Sequence, residues 1–309
     1  MTRVVITGAT GTIGEAVSRA LLARGDQPVA LSRDPQRATT QLGSGVEIHA
    51  WPQPTSAPAP AVALAGADAV IHLLGEPVAQ RWTAAAKARI RDSRTLGTRM
   101  LVAGLSELEA SERPRVLVSQ SATGFYGPRD SAELDESAPA GADFLSNVVS
   151  AWEAEALAAQ TMMRVAVART GVVISPSGGA LAKMLPFFRA GIGGPVAGGK
   201  QFVPWIHIDD VIAALLFCVD NGSADGPVNL TAPNPVDNAE LSKAVGAALH
   251  RPAVLPVPGF ALKLLYGEMA EIVTTGQRVL PAQLEKLGFE FRYPLIAPAL
   301  EDALVASRG

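Results

Sequence analysis

The chain contains 309 residues, of which 48% are hydrophobic and 18% are charged, and its formal net charge is −3. This length and apolar content allow a large core, and the mild negative charge without a basic cluster argues against a nucleic-acid-binding surface. The single cysteine, Cys218, excludes a disulfide framework, and its apolar helical surroundings predict a small core residue. No apolar run reaches the roughly 18 residues that span a membrane, and the chain opens on a strand without a signal peptide. We therefore expect a cytoplasmic protein with neither a nucleic-acid nor a membrane partner.

The first predicted unit is a strand, a glycine turn and a helix. An apolar run at residues 4–6 precedes Gly8, Gly11 and Gly14, and an amphipathic pattern follows them. Gly8 suits a tight turn, Gly11 lets backbone approach a pyrophosphate, and Gly14 lets the helix pack closely on the strand. The start of the helix offers N–H groups and a positive dipole end to the phosphates. The unit predicts a dinucleotide site, and the alternative is an ordinary glycine-rich turn.

The second predicted strand ends in Ser32, and Arg33 follows at its carboxyl end. Asp34 and Pro35 then form a typical helix start. An acidic residue at this point suits the ribose 2′-hydroxyl of NAD, whereas an arginine suits the 2′-phosphate of NADP. Arg33, with Ser32 as a hydroxyl partner, therefore favours NADP(H) over NAD(H). The alternative is that Arg33 is only a solvated charge.

Alternation predicts a third strand at 46–51, and an apolar run predicts a fourth at 69–74. The fourth strand should end beside the first, where a dinucleotide lies across a parallel sheet. We therefore expect Leu74 and Gly75 to line the cofactor and Glu76 to hydrogen-bond it or a partner residue. His72 lies within the apolar run, which favours a core histidine with satisfied hydrogen bonds over a ligand.

A long helix is predicted from about residue 84 to 105, with several arginines that we interpret mostly as a solvated face. Arg81, just before it, is the candidate for a phosphate contact. Fifth and sixth strands at 116–119 and 163–169 complete an alternation of strands and helices. That alternation predicts an α/β fold with a doubly wound parallel sheet.

The alternation loosens after residue 175. We predict a Rossmann domain over 1–175, with parts of 200–230 completing its sheet, and a mixed α+β substrate lobe over 176–309. A further helix after 207 is predicted to be capped by Asp209 or Asp210. The four histidines, His49, His72, His207 and His250, show no ligand spacing, so no metal site is predicted.

Four segments together carry a family resemblance that covers nearly the whole chain. They are residues 7–14, 119–127, 152–153 and 205–210. They resemble the extended, or atypical, short-chain dehydrogenase/reductases, and the subgroup called epimerase-family proteins in particular. The tail from about 250 to 300 resembles a C-terminal domain of unknown function. The resemblance implies a Rossmann domain, NADP(H) binding and a smaller C-terminal substrate lobe, and it leaves the substrate unnamed.

The positions expected to bind NADP(H) lie in the glycine turn and at the ends of the strands. They are Gly8, Thr10, Gly11, Thr12, Ile13, Gly14, Ser32, Arg33, Leu74, Gly75, Glu76, Arg81, Ser119 and Val172.

The catalytic residues depart from the superfamily pattern. Its members usually act with a Ser or Thr and with a Tyr followed four residues later by a Lys. If Glu153 is the acidic residue that commonly stands four positions after that Lys, the Tyr position holds Leu145 and the Lys position holds Val149. A leucine carries no proton and a valine no charge, so the usual acid–base pair is absent. Ser121 fits the Ser/Thr position.

Three alternatives remain open for the proton. A different residue supplies it (Tyr126, Asn147 or His207), or water does, or the protein binds NADP(H) without turnover. We take Ser121 and Tyr126 as catalytic candidates and Asn147 and His207 as substrate candidates. The primary hypothesis is an oxidoreductase or epimerase that acts on a small or nucleotide-linked substrate. The second is an inactive NADP(H)-binding sensor or interaction protein. Either would be a monomer or a homodimer.

Overall fold

The computed structural model of the chain describes residues 1–305. Its strands, in chain order, are β1 (Arg3–Thr7), β2 (Gln27–Ser32), β3 (Glu47–Ala50), β4 (Ala69–His72), β5 (Val116–Ala122), β6 (Glu133–Leu134), β7 (Arg164–Thr170), β8 (Val172–Ile174), β9 (Phe202–Val203), β10 (Trp205–His207), β11 (Gly226–Leu230), β12 (Val236–Asp237) and β13 (Arg278–Val279).

The α-helices are α1 (Thr12–Ala23), α2 (Pro35–Leu42), α3 (Ala61–Leu64), α4 (Ala84–Ser106), α5 (Phe144–Leu157), α6 (Gly179–Arg189), α7 (Ile208–Asp220), α8 (Asn238–Leu249), α9 (Gly259–Tyr266), α10 (Glu271–Thr274), α11 (Ala282–Lys286) and α12 (Ile296–Val305).

A seven-stranded parallel sheet forms the centre of the molecule, in the order β3-β2-β1-β4-β5-β7-β11. The order reverses direction at β1 and β4, which creates the crevice where doubly wound sheets bind ligands. Apolar cores lie on both faces of the sheet, one built on α1 and α7 and the other on α3 and α4. The predicted α/β Rossmann fold is confirmed.

The smaller lobe has its own apolar core, formed by α6, α8 and α12. The sheet-completing strand β11 and helix α7 belong to the region 200–230 and pack on the Rossmann sheet. The domain boundaries at 175 and about 250 stay a prediction, and residues 306–309 of the proposed lobe lie outside the described residues. No helix among residues 1–305 is both long and apolar enough to cross a membrane.

Several local predictions agree with the structure and one does not. The Asp34 carboxylate caps α2 by accepting from the Arg37 N–H at 3.1 Å. Cys218 is fully buried in the core, and burial raises the pKa of its thiol to about 12. Helix α7, however, is capped by the His207 side chain, whose Nδ1 accepts from the Asp209 N–H at 3.2 Å. The predicted Asp caps fall inside the first turn because the helix already begins at Ile208.

His72 is a buried histidine whose two ring nitrogens are both used. Nδ1 lies 2.7 Å from the Thr7 hydroxyl, and Nε2 lies 2.9 Å from the Thr98 hydroxyl. Burial lowers its pKa from 6.5 to about 3. The histidine is therefore neutral at pH 7, as a satisfied core residue should be.

This depressed pKa predicts an acid-dependent loss of stability. The unfolded chain takes up a proton on His72 near pH 6.5 and the native chain does not until about pH 3. The free energy of unfolding should therefore fall by up to about 1.4 kcal/mol per pH unit through this group as the pH drops across that interval. Urea titrations at several pH values should show a shallower fall for His72→Gln. An equal slope in wild type and variant would contradict the assignment, and His250→Asn at an exposed position serves as the control.

Candidate active site

The glycine turn between β1 and α1 has the geometry that the spacing predicts. Gly8 has a φ of +67°, and a Cβ there would lie 2.7 Å from the Leu73 carbonyl oxygen. A Cβ on Gly14 would lie 2.6 Å from the Ala9 Cα, so the helix start is pressed against the turn. A Cβ on Gly11 would instead meet one atom, the Gly8 oxygen at 3.3 Å. Two glycines therefore shape the turn, while the third leaves its outer side open.

The start of α1 is open to a ligand. Gly11 is the N-cap residue and contributes no side-chain cap. Among the described residues, the backbone N–H groups of Thr12 and Ile13 have no acceptor. Helix N-termini with uncapped donors bind phosphate groups well. The Gly178 backbone approaches the Thr12 side chain, so the segment before α6 lies over this helix end.

A polar cleft of about 290 Å³ opens beside this turn, at the carboxyl ends of β2, β3 and β4. The exposed Arg33 lines it together with the loop after β3 and the start of the loop after β4. Its lining residues are Arg33, Pro52, Gln53, Pro54, Thr55, Ser56, Leu74, Gly75, Glu76 and Ser93. The 52–56 loop was not anticipated as part of the site. Its position follows from the parallel pairing of Ser32 with Ala50, which brings the ends of β2 and β3 together.

Not every expected cofactor residue lies in the clefts. Arg81 points to helix α9, with Nη1 at 3.4 Å from the Leu265 carbonyl oxygen. Ser119 is fully buried within the sheet, opposite His72 of β4. The Ser32 hydroxyl is hydrogen-bonded to the backbone of Asp34 at 3.0 and 3.1 Å. The Thr10 carbonyl oxygen accepts from the Gln41 side chain at 2.9 Å, so in the structure this residue ties the turn to α2.

A second, larger cleft of about 640 Å³ lies between the Rossmann domain and the smaller lobe. Its wall is largely apolar and is built from the end of β5, the first turns of α5, the β7–β8 junction, α6 and the segment 268–277. Val172 belongs to this wall. Trp82 and Phe144 meet edge to face across it, with ring centroids 5.1 Å apart.

Helix α5 carries the two positions at which the superfamily usually has its Tyr and Lys. Leu145 and Val149, the residues at the Tyr and Lys positions, both line the larger cleft. Among the described residues that line this cleft there is no tyrosine, lysine or histidine. Asn147 lies on the exposed side of the helix and donates to the Ala142 carbonyl oxygen at 3.3 Å. The structure therefore places Asn147 away from the cleft.

The catalytic candidates Ser121 and Tyr126 belong to a buried network instead of the cleft wall. The Ser121 hydroxyl donates to the Glu153 carboxylate at 2.6 Å, and Arg169 binds the same carboxylate through two contacts of 2.9 Å. The Tyr126 hydroxyl donates to Asn229 Oδ1 at 2.7 Å and accepts from Arg169 at 3.1 Å. Both residues are 1% exposed or less.

This network corrects the expectation for Tyr126. Burial raises the pKa of the Tyr126 phenol, so the group keeps its proton near neutral pH. Its partners fill the hydroxyl on both sides, and it has no path to the larger cleft. A tyrosine so placed stabilises the fold and is not positioned to protonate a substrate.

His207 also lies away from both clefts. Its ring is 1% exposed and packs on Tyr293 with centroids 4.0 Å apart. The side chains of His207, Asp209 and Asp302 bring ligand atoms within 4.8 Å of one another, and Arg292 pairs with Asp209 at 3.1 Å. Burial lowers the pKa of His207. This residue joins α7 to the C-terminal helix and does not touch the substrate cleft.

Arg94 is a cleft residue that the sequence analysis missed. The sequence pattern predicts Arg94 on the solvated arginine face of α4, but its side chain lines the larger cleft. Its guanidinium carbon lies 5.1 Å from the centroid of the Trp152 ring, and a Cβ on Gly75 would be 3.2 Å from it. The spacing of Arg94 with Ile90 and Leu101, both fully buried, is the signal that marks it as inward-facing.

Removing the buried hydroxyls should affect stability and leave cofactor binding unchanged. Ser121→Ala and Tyr126→Phe each delete hydrogen bonds to charged or buried partners, which lowers the free energy of unfolding by about 1–3 kcal/mol. Chemical denaturation measures the first effect and fluorescence titration with NADPH the second. Tyr266→Phe, on the exposed face of α9, is the control. Loss of turnover in Tyr126→Phe with unchanged stability would contradict the structural role.

Comparison with known proteins places these features in a family context. The sequence model of the NAD dependent epimerase/dehydratase family matches residues 4–230, and a domain of unknown function matches residues 257–303. The chain is 40% identical over 304 residues to the chloroplastic epimerase family protein SDR39U1 homolog of Arabidopsis thaliana, covering 96% of this chain and 85% of that one. It is 33% identical to the human epimerase family protein SDR39U1, covering 97% and 99%.

Two solved structures show the same arrangement. The human epimerase family protein SDR39U1 with NADPH superposes with a TM-score of 0.88 at 32% identity, covering 98% of this chain and 99% of that one. A nucleoside-diphosphate sugar epimerase from Corynebacterium glutamicum superposes with a TM-score of 0.77 at 32% identity. That match covers 98% of this chain but 58% of the other.

Proposed function

The chain belongs to the NAD-dependent epimerase/dehydratase family, as its resemblance to the extended short-chain dehydrogenase/reductases predicted, and we propose that it is an NADP(H)-dependent oxidoreductase or epimerase. The substrate in this proposal is a small or nucleotide-linked molecule. The observation that carries the proposal is the continuity of the site. An uncapped helix start, a polar cleft with an arginine and an apolar cleft follow one another along the carboxyl edge of the sheet.

The residues present fit a dinucleotide phosphate. A side chain on Gly11 would stand on the open side of the turn, and the N–H groups of Thr12 and Ile13 offer donors to a pyrophosphate. Arg33 stands at the end of β2, where a 2′-phosphate would need a cation. The crystal structure of the human relative with NADPH supports this choice of cofactor.

We assign the other cofactor contacts by position. Leu74, Gly75 and Glu76 line the polar cleft, and Val172 lines the apolar one. When bound, the cofactor supplies or accepts a hydride. The side chains of Leu145 and Val149 keep water away from one side of the apolar cleft, and Thr123, which also lines it, can hydrogen-bond a substrate oxygen.

The proton in this proposal comes from water. Arg94 and three carboxylates are the ionisable groups that line the apolar cleft in the described part of the chain, and none is a neutral-pH acid of the usual kind. This same observation favours the second candidate, an NADP(H)-binding protein without turnover. Oxidation of NADPH in the presence of a panel of carbonyl compounds distinguishes the two, because an inactive protein leaves the cofactor unchanged.

We propose that the protein is cytoplasmic and that it is a monomer or a homodimer. The Arabidopsis thaliana relative is chloroplastic, so a cytoplasmic location is not common to every member of the family. Light scattering coupled to size-exclusion chromatography reports the molar mass in solution.

Arg33→Asp should remove the preference for NADPH. A charge-assisted contact to phosphate is worth about 1.5–3 kcal/mol, so the affinity for NADPH should fall roughly 10- to 100-fold while that for NADH falls less. Thermal-shift titrations with both cofactors measure this, since a ligand at a hundredfold excess over its Kd adds about 2.7 kcal/mol of stability.

Arg37→Asp is the matched control, because Arg37 is an equally exposed arginine on the neighbouring helix. If the wild type shows no shift with either cofactor, the glycine turn is only a scaffold and the chain is an interaction protein. If Arg33→Asp keeps the full preference, another group binds the 2′-phosphate.

A further inference from the structure

We propose that the substrate carries a carboxylate and that the Nε–Nη2 edge of Arg94 binds it. This inference rests on the proposed function, because it concerns the substrate of the same site. The proposed substrate is an apolar carboxylic acid with a reducible carbonyl or an oxidisable hydroxyl. It replaces the nucleotide-linked substrates that the family resemblance also allows.

The Arg94 guanidinium uses only one of its nitrogens in hydrogen bonds to the described residues of the protein. Nη1 of Arg94 donates to the Glu76 carbonyl oxygen at 3.0 Å and to the Ile90 carbonyl oxygen at 3.1 Å. Among residues 1–305, Nε and Nη2 have no hydrogen-bond partner. Both atoms are partly accessible to solvent. One nitrogen therefore anchors the group, and the Nε–Nη2 edge, which suits the two oxygens of a carboxylate, keeps unused donors on a side chain that lines the larger cleft.

The charge of Arg94 is not matched by a paired carboxylate among the described residues. Arg94 forms no ion pair within the described chain. The Glu76 carboxylate is close enough to favour its charged form, but it lies 3.6 Å from Nε of Arg89 and does not pair with Arg94. The other well-buried arginine of this region, Arg169, is fully matched by Glu153. Burial lowers the pKa of Arg94 to about 10, which leaves it charged at pH 7. A partly desolvated cation without a directly paired carboxylate is costly, and an anion that binds it lowers that cost.

The charged residues on the wall of the larger cleft limit which anions it can bind. Arg94 is the one cationic side chain that lines this cleft in the described chain, whereas three carboxylates, Asp143, Glu268 and Glu271, also line it. A diphosphate would meet one cation and three like charges, so a nucleotide-linked substrate fits poorly. A single carboxylate matches the guanidinium fork. The apolar side chains around it, Val149 and Met184 among them, suit a hydrocarbon body.

The test is equilibrium binding to protein saturated with NADP⁺, so that no carbonyl is reduced during the measurement. The probes are 3-phenylpropanoate, 4-methyl-2-oxopentanoate and 2-oxo-4-phenylbutanoate, each paired with its methyl ester. We expect at least one acid to raise the melting temperature of the complex more than its ester does. No acid exceeding its ester across the three pairs would overturn the proposal.

Variants then identify the residue. Arg94→Met should weaken binding of that acid roughly 10- to 100-fold, the range expected for a charge-assisted contact, and Arg94→Lys should bind with intermediate affinity. Arg91→Gln, on the exposed side of the same helix, should bind like the wild type. Unchanged acid binding in Arg94→Met overturns the proposal. Equal losses of acid and NADP⁺ binding would also do so, because the guanidinium would then serve the cofactor.

A measurement on the wild type guards against misfolding of the variants. Phenylglyoxal modifies accessible arginines, and peptide mass spectrometry reports the modification at position 94. The acid should protect Arg94 while its ester does not, and modification of the exposed Arg91 should be unaffected. Modification at Arg94 that is indifferent to the acid would overturn the proposal. NADPH binding, read in the same preparation, tests the proposed function separately, so a failure of either can be recognised.

Discussion

The buried ion pair between Glu153 and Arg169 is the constraint on which the site depends. Their side chains are 7% and 5% exposed, and the carboxylate also accepts from Ser121 while the guanidinium binds Tyr126. The pair thereby ties helix α5 to strands β5 and β7. Breaking such a pair by removing one partner costs about 3–5 kcal/mol, because a charge is left buried alone. With α5 held in this way, Leu145 and Val149 can only face the larger cleft.

The network also accounts for what the polar residues of this region do. Ser121 and Tyr126 stand near the positions where the superfamily has its proton-transfer chemistry, yet both hydroxyls are consumed by partners inside the protein. The cleft that remains is apolar where a tyrosine and a lysine would otherwise stand. Because no side-chain acid of the usual kind lines this cleft in the described part of the chain, the proposed reaction takes its proton from water and depends on how the cleft positions the substrate.

The two inward-facing arginines illustrate how local chemistry separates structural from ligand-directed charge. Arg169 has a bidentate carboxylate partner and lies against the Phe125 ring at 3.5 Å. Arg94 has carbonyl oxygens on one nitrogen, an aromatic ring on its face and no carboxylate. The charge of Arg169 is therefore neutralised within the protein. The charge of Arg94 has no paired carboxylate in the described chain, and in our proposal it binds the carboxylate of the substrate.

The sheet, the glycine turn and the cap at Asp34 can be predicted from the sequence, because they depend on local backbone geometry and on apolar periodicity. The sequence also placed Leu145, Val149 and Glu153 on one face of a helix, since a spacing of four residues sets that face. The partners of buried polar groups depend on long-range packing and cannot be predicted in this way. Tyr126 meets Asn229, and Arg94 reaches the cleft, through packing of elements far apart in the chain, and no short-range pattern encodes which polar atoms such packing brings together.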